Sequence, residues 1–296
     1  MLKKTIIALI STILFFAVIA TGYLIDQAFV PANDGMIEES FINPGSQNNP
    51  GKLPEKKDGP IVVGIFNSGY LYHESHDHGI NKDIIVELFK RMKLDYKIEI
   101  LPRVRITSMM TEGSVHVGVT TVETPERAEY MYFVPYFAEK NEVLVRKDAN
   151  ISTEKELLQR WDIKVGIVRG YYYGEHYTEL IEKLKSRKMI VEAKDTEHLY
   201  QMLGENWIQV TFNNASSYLF YLDFYSIPEI NIYDWAPEEG SLVRNLAFNK
   251  QYFSAGDVAE FQKTVDKMIN DGTIYNVFKK YLPEVVAKRM CIPECH

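Results

Sequence analysis

The sequence has only two cysteines, Cys291 and Cys295, and both lie in its last six residues. This inventory excludes a disulfide-built scaffold and a four-thiolate zinc site. No cysteine follows the N-terminal apolar run, which excludes a lipid anchor at a lipobox. Positive charge is also in deficit, because 40 acidic residues outnumber 33 lysines and arginines. The net charge of −7 gives no basic footprint for non-specific nucleic-acid binding.

The chain also lacks the common catalytic motifs. It has no Gly-x-Ser-x-Gly elbow, no Ser-His-Asp order and no glycine-rich phosphate loop. Glu175 and His176 have the chemistry of an acid and a base, but the exposed face of a helix that starts near Gly174 is the simpler interpretation. We therefore expect no enzymatic activity, no catalytic residue and no cofactor.

Residues 1–25 are typical of a secretory leader or a membrane anchor. A short basic start is followed by 21 uncharged residues, Thr5 to Ile25, which are just long enough to cross a bilayer as a helix. Val18-Ile19-Ala20 fits a small-residue cleavage site. We favour a cleaved signal peptide over an uncleaved anchor.

Residues 26–58 are predicted to form a disordered linker. Prolines and glycines alternate there with polar residues, so the segment buries too little apolar area to offset the entropy of ordering it. A tether of this length suits a retained anchor. With or without cleavage, the rest of the chain is expected in the periplasm, in contact with the membrane only through an uncleaved N-terminal segment.

From residue 61 onward, short apolar runs alternate with helical periodicity. Ile61–Ile65 is predicted to be a buried strand, and apolar residues from Ile80 to Met92 recur at helical spacing. Further strands are predicted at 96–101, 115–121, 163–168, 189–193, 208–212 and 245–249, and further helices at 104–112, 174–186, 197–203 and 214–224. Helix starts are expected at Thr124, Thr153 and Asp257. This order predicts open α/β sheets, whose ligands bind beyond the carboxyl ends of the strands.

Polar and aromatic residues follow the predicted strands at those ends. They are Tyr70 and Tyr72, Arg103 and Arg105, Thr120 and Thr121, Arg127, Arg169 to Tyr172, and Asn213 with Asn214. Guanidinium groups bind carboxylate or phosphate in bidentate fashion, so arginines gathered there in an acidic chain indicate an anionic group on the ligand. For any one arginine, pairing with a surface acid such as Glu126 is the alternative.

Four motifs in order resemble those of the periplasmic solute-binding proteins of the amino-acid type, family 3. They are Gly79-Ile80-Asn81-Lys82-Asp83, Thr124-Pro125-Glu126-Arg127 with Pro135-Tyr136, Val165 to Gly170, and Asp271 to Tyr275 with Lys280-Tyr281-Leu282. Each motif is weak alone, but together they cover about three-quarters of the chain.

The resemblance implies two open-sheet α/β lobes joined by a two-strand hinge, with the ligand in the cleft between them. Lobe 1 would span 59–145 and return at 241–286, lobe 2 would span 146–240, and 287–296 would be a tail. The carboxylate-binding arginine of the family corresponds to Arg127 and its pocket aromatic residue to Tyr72. The remaining expected ligand-binding residues are Arg105, Thr120, Thr121, Gly170, Tyr171, Tyr172 and Asn214.

Asn214 departs from the family pattern. Amino-acid binders usually place an aspartate there for the α-ammonium group of the ligand, whereas asparagine is neutral and its N–H donors would repel that group. We therefore expect a carboxylate ligand without an α-amino group. A slip of one residue in the correspondence would move this position to Asn213.

The implied function is capture of a small carboxylate-bearing ligand, amino-acid-like or an organic acid, for an ABC-type transporter. The implied partners are that ligand and an ABC permease. Alternatives are a sensing protein that presents its ligand to a membrane receptor and, less favoured, a dehydratase-like enzyme on the same fold.

Two clusters lie outside this scheme. The segment from His73 to His78 holds three histidines and two acids, a set that suits zinc, copper or nickel, but a solvated loop is favoured and no metal site is expected. In an oxidising compartment, Cys291 and Cys295 are expected to form a small-loop disulfide that constrains only the tail.

Overall fold

A computed structural model describes residues 59–225, 227 and 229–292. All of these residues lie in one compact unit, Asn49–His296. The leader or anchor at 1–25, the linker at 26–58 and Cys295 lie outside the described residues, so those expectations stay predictions. In the part of the chain that is described, no helix is both long enough and apolar enough to span a membrane.

The first sheet has five strands in the order β2-β1-β3-β10-β4. The strands are β1 (Ile61–Ile65), β2 (Tyr96–Ile100), β3 (Val117–Thr121), β4 (Met131–Glu139) and β10 (Leu242–Asn249). β1 pairs in parallel with β2 and β3, whereas β10 runs antiparallel between β3 and β4. All five residues of β1 are buried, as expected for a central strand covered on both faces.

The second sheet also has five strands, in the order β7-β6-β8-β5-β9. They are β5 (Glu142–Arg146), β6 (Val165–Val168), β7 (Ile190–Ala193), β8 (Val210–Asn213) and β9 (Ile230–Tyr233). β6 is parallel to β7 and β8, and β5 is antiparallel to β8 and β9. The two sheets repeat one plan, so the predicted α/β architecture of two open-sheet lobes is confirmed.

Helices flank both sheets. In chain order they are α1 (Ile80–Met92), α2 (Arg103–Glu112), α3 (Pro125–Ala128), α4 (Glu154–Gln159), α5 (Glu175–Ser186), α6 (Thr196–Gly204), α7 (Ala215–Phe224), α8 (Ala255–Asn270), α9 (Thr273–Tyr281) and α10 (Glu284–Arg289). The N-caps predicted at Thr124 and Thr153 are present, and Thr153 forms a capping box with Glu156. The predicted start at Asp257 was misplaced, because Ser254 is the N-cap of α8 and Asp257 is its capping-box partner.

The chain passes between the sheets twice. β4 ends at Glu139 in the first sheet and β5 starts at Glu142 in the second, so the first passage lies earlier than the expected boundary at 145. The second passage runs between β9 and β10. Residues assigned in advance to a tail are partly packed, because Ala287 and Met290 are buried and the Ala138 N–H donates to the Met290 carbonyl.

Two clusters of buried apolar side chains form the core. The larger one fills lobe 1 and continues into the side of lobe 2 that faces it, where it includes Leu199, Tyr200 and Tyr221. The smaller one is confined to lobe 2 around Leu157 and Tyr177. The two lobes are therefore closed against each other and share buried apolar area.

Candidate functional site

A cavity of about 190 Å³ lies between the two lobes. Its lobe 1 wall is the end of β1 and the turn that leads into α2, and its lobe 2 wall is the end of β6 with the start of α6. The lining residues are Phe66, Asn67, Glu74, Ile100 to Val104, Val168, Arg169, Tyr171 and Lys194 to Glu197. The cavity lies at the carboxyl ends of the parallel strands, as the strand order predicts for a ligand site.

Arg103 reaches across this cavity. It is the first residue of α2, and its guanidinium carbon lies 4.9 Å from the ring centre of Phe66 in lobe 1 and 4.7 Å from that of Tyr171 in lobe 2. Its Nη2 donates to the Thr120 carbonyl over 3.1 Å. The planar guanidinium is thus held by two aromatic faces and one carbonyl, which fixes its position between the lobes.

The charge of Arg103 has no acidic partner among the described residues. Burial, reinforced by the guanidinium groups of Arg127 and Arg244, lowers the pKa of Arg103 to about 10. No carboxylate is among the main causes of this pKa shift. Three guanidinium groups near one cleft therefore leave positive charge that an anion would neutralise.

A buried hydrogen-bond network lies directly behind Arg103. The Tyr136 hydroxyl donates to Asn81 Oδ1 over 2.6 Å and accepts from the Thr120 N–H over 3.0 Å, and Asn81 Nδ2 donates to Thr120 Oγ1 over 2.9 Å. Thr120 has a φ of 53°, a left-handed conformation that is strained for a β-branched residue. Residues from two of the sequence motifs thus converge on the end of β3 and hold the Thr120 residue whose carbonyl Arg103 contacts.

Arg127 and Arg105 occupy unlike positions. The Arg127 Nη1 donates to the Val122 carbonyl over 2.8 Å, so part of this guanidinium is engaged by its own loop. Arg105 is exposed on α2 and is not among the cavity-lining residues. Thr121 is partly buried beside them, and its carbonyl accepts from Asn245 Nδ2 over 3.1 Å.

The aromatic residues predicted for the site are divided between cavity and core. Tyr171 lines the cavity, and its hydroxyl lies 3.3 Å from Ser68 Oγ of lobe 1. Tyr72 is fully buried in the lobe 1 core, where its hydroxyl donates to Asp77 Oδ1 over 3.1 Å. Gly170 has a φ of 75° and packs so closely against Val104 that an added Cβ would lie 3.1 Å from the Val104 methyl group. Tyr172 is partly buried and outside the cavity lining.

Asn214 is engaged as a helix cap. It is buried, and its Oδ1 accepts from the Ser217 N–H over 3.2 Å and from Ser216 Oγ over 3.0 Å at the start of α7. The neighbouring Asn213 is buried too and accepts from the Asn214 N–H. The acceptor oxygen of Asn214 is therefore committed to its own helix, which a β-strand followed by Asn-x-x-Ser indicates in hindsight.

The N-terminus of α5 binds a carboxylate side chain of the protein itself. The His176 N–H donates to Glu239 Oε1 over 2.5 Å, and the carboxylate lies against Gly174. In the structure the N–H of His176 at this helix start is occupied by Glu239, a residue from the second passage between the lobes.

Sequence reasoning missed two buried charged residues near the hinge. Arg244 on β10 is 2% exposed and its Nε has no hydrogen-bond partner among the described residues, and Glu139 at the end of β4 is 4% exposed. Burial raises the pKa of Glu139, and Arg244 partly opposes that shift. Their only sequence signal is a charge inside an apolar strand, because their proximity depends on the antiparallel pairing of β10 with β4.

Two other groups of residues have the chemistry of a catalytic or metal site: Glu175 with His176, and the segment from His73 to His78. The structure gives their contacts. Glu175 is exposed, and the His176 ring lies 2.7 Å from Glu154 Oε2 within lobe 2. His73 and His78 form the closing bridge of a short hairpin, and residues 74–78 are exposed, as expected for a solvated segment. Over the ranges that the structure describes, no three histidine, cysteine, aspartate or glutamate residues are arranged to hold a metal ion.

Comparison with known proteins agrees with this architecture. Residues 61–284 match the family described as bacterial extracellular solute-binding proteins, family 3. A search among curated proteins found no match to the sequence.

Solved structures of binding proteins have the same fold. The arginine-, lysine-, histidine-binding protein ArtJ from Geobacillus stearothermophilus aligns with a TM-score of 0.63 and 17% identity over 76% of this chain and 95% of that one. A structure from work on glutathione import via GshT and the cystine ABC importer TcyBC of Streptococcus mutans gives 0.63 and 15%, over 78% and 100%. A histidine kinase sensor domain with similarity to periplasmic binding proteins gives 0.63 and 15%, over 75% and 96%. At these identities the likeness establishes the fold alone.

Proposed function

The chain belongs to the bacterial extracellular solute-binding proteins of family 3, and from that premise we propose that it captures a small carboxylate-bearing ligand between its two lobes. Members of this family are extracellular binding proteins rather than enzymes, and the proposed location is the periplasm.

The observation that carries the proposal is the unpaired guanidinium of Arg103. A charge removed from water without a counter-ion is costly, and a carboxylate that accepts from Arg103 would supply that counter-ion. The positive charges of Arg127 and Arg244 also disfavour the charged form of Arg103, and a ligand carboxylate would offset them as well. The cavity of about 190 Å³ limits the ligand in the closed state to a small molecule.

The positions of the predicted site residues support a role at the ligand for only some of them. Arg103 and Arg127 bind the carboxylate, and Tyr171 stacks on the ligand from lobe 2. Thr120 positions Arg103 through its carbonyl group, whereas the Thr121 carbonyl is held by Asn245. Tyr72, Gly170, Tyr172, Asn214 and the exposed Arg105 are not among the cavity-lining residues, and we assign them no contact with the ligand.

The ligand class that we propose is an organic acid or another carboxylate without an α-amino group. The cap bond of Asn214 to α7 leaves its N–H donors, which do not accept from an ammonium group. Acidic residues do line the outer part of the cavity, among them Glu74 and Glu197. If the ligand proves to have an amino group that binds to these two carboxylates, the proposed ligand class is wrong.

Two biological uses fit the same capture event. Delivery to an ABC permease is the first, supported by the family and by the likeness to a structure from work on an ABC importer. Sensing is the second, supported by the likeness to a histidine kinase sensor domain and by lobes that share buried apolar area. Pull-down of a permease or of a receptor from membranes with ligand-loaded protein separates the two.

The proposed function is tested by a thermal-shift screen of the full chain. The panel pairs each of the common amino acids with its deaminated acid. We expect stabilisation by one or more deaminated acids, and a loss of affinity of at least tenfold in Arg103→Gln, since a buried anion loses its partner. Arg105→Gln, an exposed arginine two residues away, is the matched control and should keep wild-type affinity. Equal affinity in Arg103→Gln and wild type would overturn the role of Arg103.

A further inference from the structure

The hairpin from His73 to His78 lies against lobe 2, and its histidines face a cavity separate from the ligand cavity, which the hairpin meets only at Glu74. His73 and His78 form its closing bridge. Its tip is held by Tyr72 and by Lys82, whose Nζ lies 2.6 Å from Asp77 Oδ1. The hairpin is therefore a rigid projection of lobe 1 rather than a loose loop.

Three aromatic side chains of α7 in lobe 2 receive this projection. The His73 ring centre lies 4.8 Å from that of Phe220, 5.3 Å from that of Phe224 and 5.9 Å from that of Tyr221. The His76 ring centre lies 5.8 Å from that of Phe220. We define the histidine–aromatic contact as His73 and His76 of lobe 1 with Phe220, Tyr221 and Phe224 of lobe 2. It joins the lobes outside the hinge in the closed protein.

His73 is the buried member of this contact. It is 5% exposed, its Nδ1 lies 2.8 Å from Ser75 Oγ, and its Nε2 has no hydrogen-bond partner. Protonation would place a positive charge and a second N–H donor among these rings, at an Nε2 that has no hydrogen-bond partner in the closed protein. The neutral imidazole is the form that the closed protein accommodates.

The charged and titratable groups around His73 come from several elements. They are Glu74 and His76 in the hairpin, Tyr221 and Asp223 on α7, Glu197 on α6, and His78 with Tyr281 along the cavity of about 240 Å³ beside the contact. Burial and His76 lower the pKa of His73 from its ordinary value of 6.5, whereas Glu197 and Glu74 act in the opposite direction. Burial is the largest of these effects.

We propose that the histidine–aromatic contact is a pH-sensitive clasp that holds the two lobes closed at neutral pH and releases them as His73 takes up a proton. When the lobes separate, His73 regains water and its proton affinity returns toward that of a free imidazole. Closure is therefore favoured fully above about pH 6.5, and the closed-to-open ratio falls by up to about tenfold per pH unit below it. This device acts on the lobes with or without a ligand.

The test measures the distance between the lobes in the full chain. Spin labels are attached at Lys90→Cys on α1 and Lys183→Cys on α5, which are exposed positions of different lobes. Pulsed dipolar spectroscopy at about pH 7.5 and about pH 5.5 should show a shift to longer distances at acid pH in the wild type. His73→Phe, which keeps an aromatic ring without a proton site, should hold one distribution at both pH values. The chain without added cysteines controls for labelling of Cys291 and Cys295.

Two results would overturn the clasp: no change in the wild-type distance with pH, or the same change in His73→Phe as in the wild type. His198→Phe on α6 is the control and should behave as the wild type. A second measurement covers the case in which His73→Phe does not fold. The imidazole titration of His73, followed by NMR, should move toward the ordinary range in Phe224→Ala, a substitution of a ring that is 46% exposed. An unchanged titration in that variant would contradict the proposal.

Discussion

The two places where the lobes meet are chemically opposite. At the cavity, Arg103 lies between rings of both lobes and its charge has no acidic partner among the described residues. At the histidine–aromatic contact, His73 lies among the rings of α7 with its Nε2 unpartnered. In our proposals, an added anion neutralises the charge of Arg103 in the first contact, whereas an added proton places a charge on His73 and weakens the second. Ligand and proton therefore act on closure from opposite directions.

Gly69 offers the strongest way to break the contact beside α7. Its φ is 60°, and an added Cβ would lie 2.8 Å from the Ser216 carbonyl of lobe 2. Gly69→Ala should cost about 1–2 kcal/mol of unfolding free energy through its backbone alone and should also push the lobes apart. Urea denaturation and the spin-label distance check the two effects.

Gly113→Ala is the matched control, because Gly113 also has a positive φ but would meet only the end of the Gln251 side chain. It should lose stability and keep the wild-type distance between the lobes. The same distance in both variants would show that Gly69 does not set the approach of the lobes.

The next largest effect is expected behind the cavity, at Tyr136. Tyr136→Phe leaves Asn81 Oδ1 and the Thr120 N–H buried without their shared partner, which should cost about 1–3 kcal/mol. Tyr200→Phe is the matched change, since the Tyr200 hydroxyl is buried without a partner, and we expect it to be neutral or stabilising. If denaturant unfolding shows that the two variants lose the same free energy of unfolding, the Tyr136 network has no special role.

Removal of the unpaired charge sharpens the comparison at the cavity. Arg103→Gln should raise the stability of the ligand-free protein by about 1 kcal/mol at most, because a partly buried charge without a counter-ion is lost. The same variant should lose the stabilisation that a carboxylate ligand gives the wild type. A fall in ligand-free stability would mean that the ring and carbonyl contacts of Arg103 outweigh its uncompensated charge.

The smallest effect is expected at the start of α5. Glu239→Gln replaces the carboxylate that accepts from the His176 N–H by a neutral amide and should cost about 0.5–1 kcal/mol through the helix dipole. Glu238→Gln, at the exposed neighbouring acid, should leave the unfolding free energy unchanged. Urea denaturation in low salt measures the unfolding free energy of both variants. If the two values are equal, the Glu239 carboxylate does not stabilise the N-terminus of α5.

Local signals in the sequence were sufficient for much of the fold. The Pro125 start, the Thr153 capping box and the buried run of β1 are recorded in neighbouring residues, so they could be predicted. β4, β5 and β9 were not predicted individually, because Pro135 interrupts β4 and the pairing of all three depends on residues far away in the chain. The passage between the lobes was expected too late for the same reason.

The sequence predicted where in the fold the candidate site lies better than it predicted which side chains line it. The rule that ligands lie at strand ends led to Arg103, but the family motif favoured Arg127, whose guanidinium is partly engaged by the Val122 carbonyl. Tyr72 and Asn214 were expected to face a ligand and are instead buried in a core and at a helix cap. The position of Arg244 depends on the register of β10, which no local pattern encodes.

The larger hydrophobic cluster has a consequence for how the protein unfolds. It combines the lobe 1 core with Leu199, Tyr200 and Tyr221 of lobe 2, whereas Leu157 and Tyr177 belong to the other cluster. The boundary between cooperative units therefore does not follow the boundary between sheets. In native-state hydrogen exchange, amides of α6 and α7 should open together with lobe 1, while α4 and α5 form a separate foldon. Separation of the lobes thus has to break apolar contacts inside a single cooperative unit.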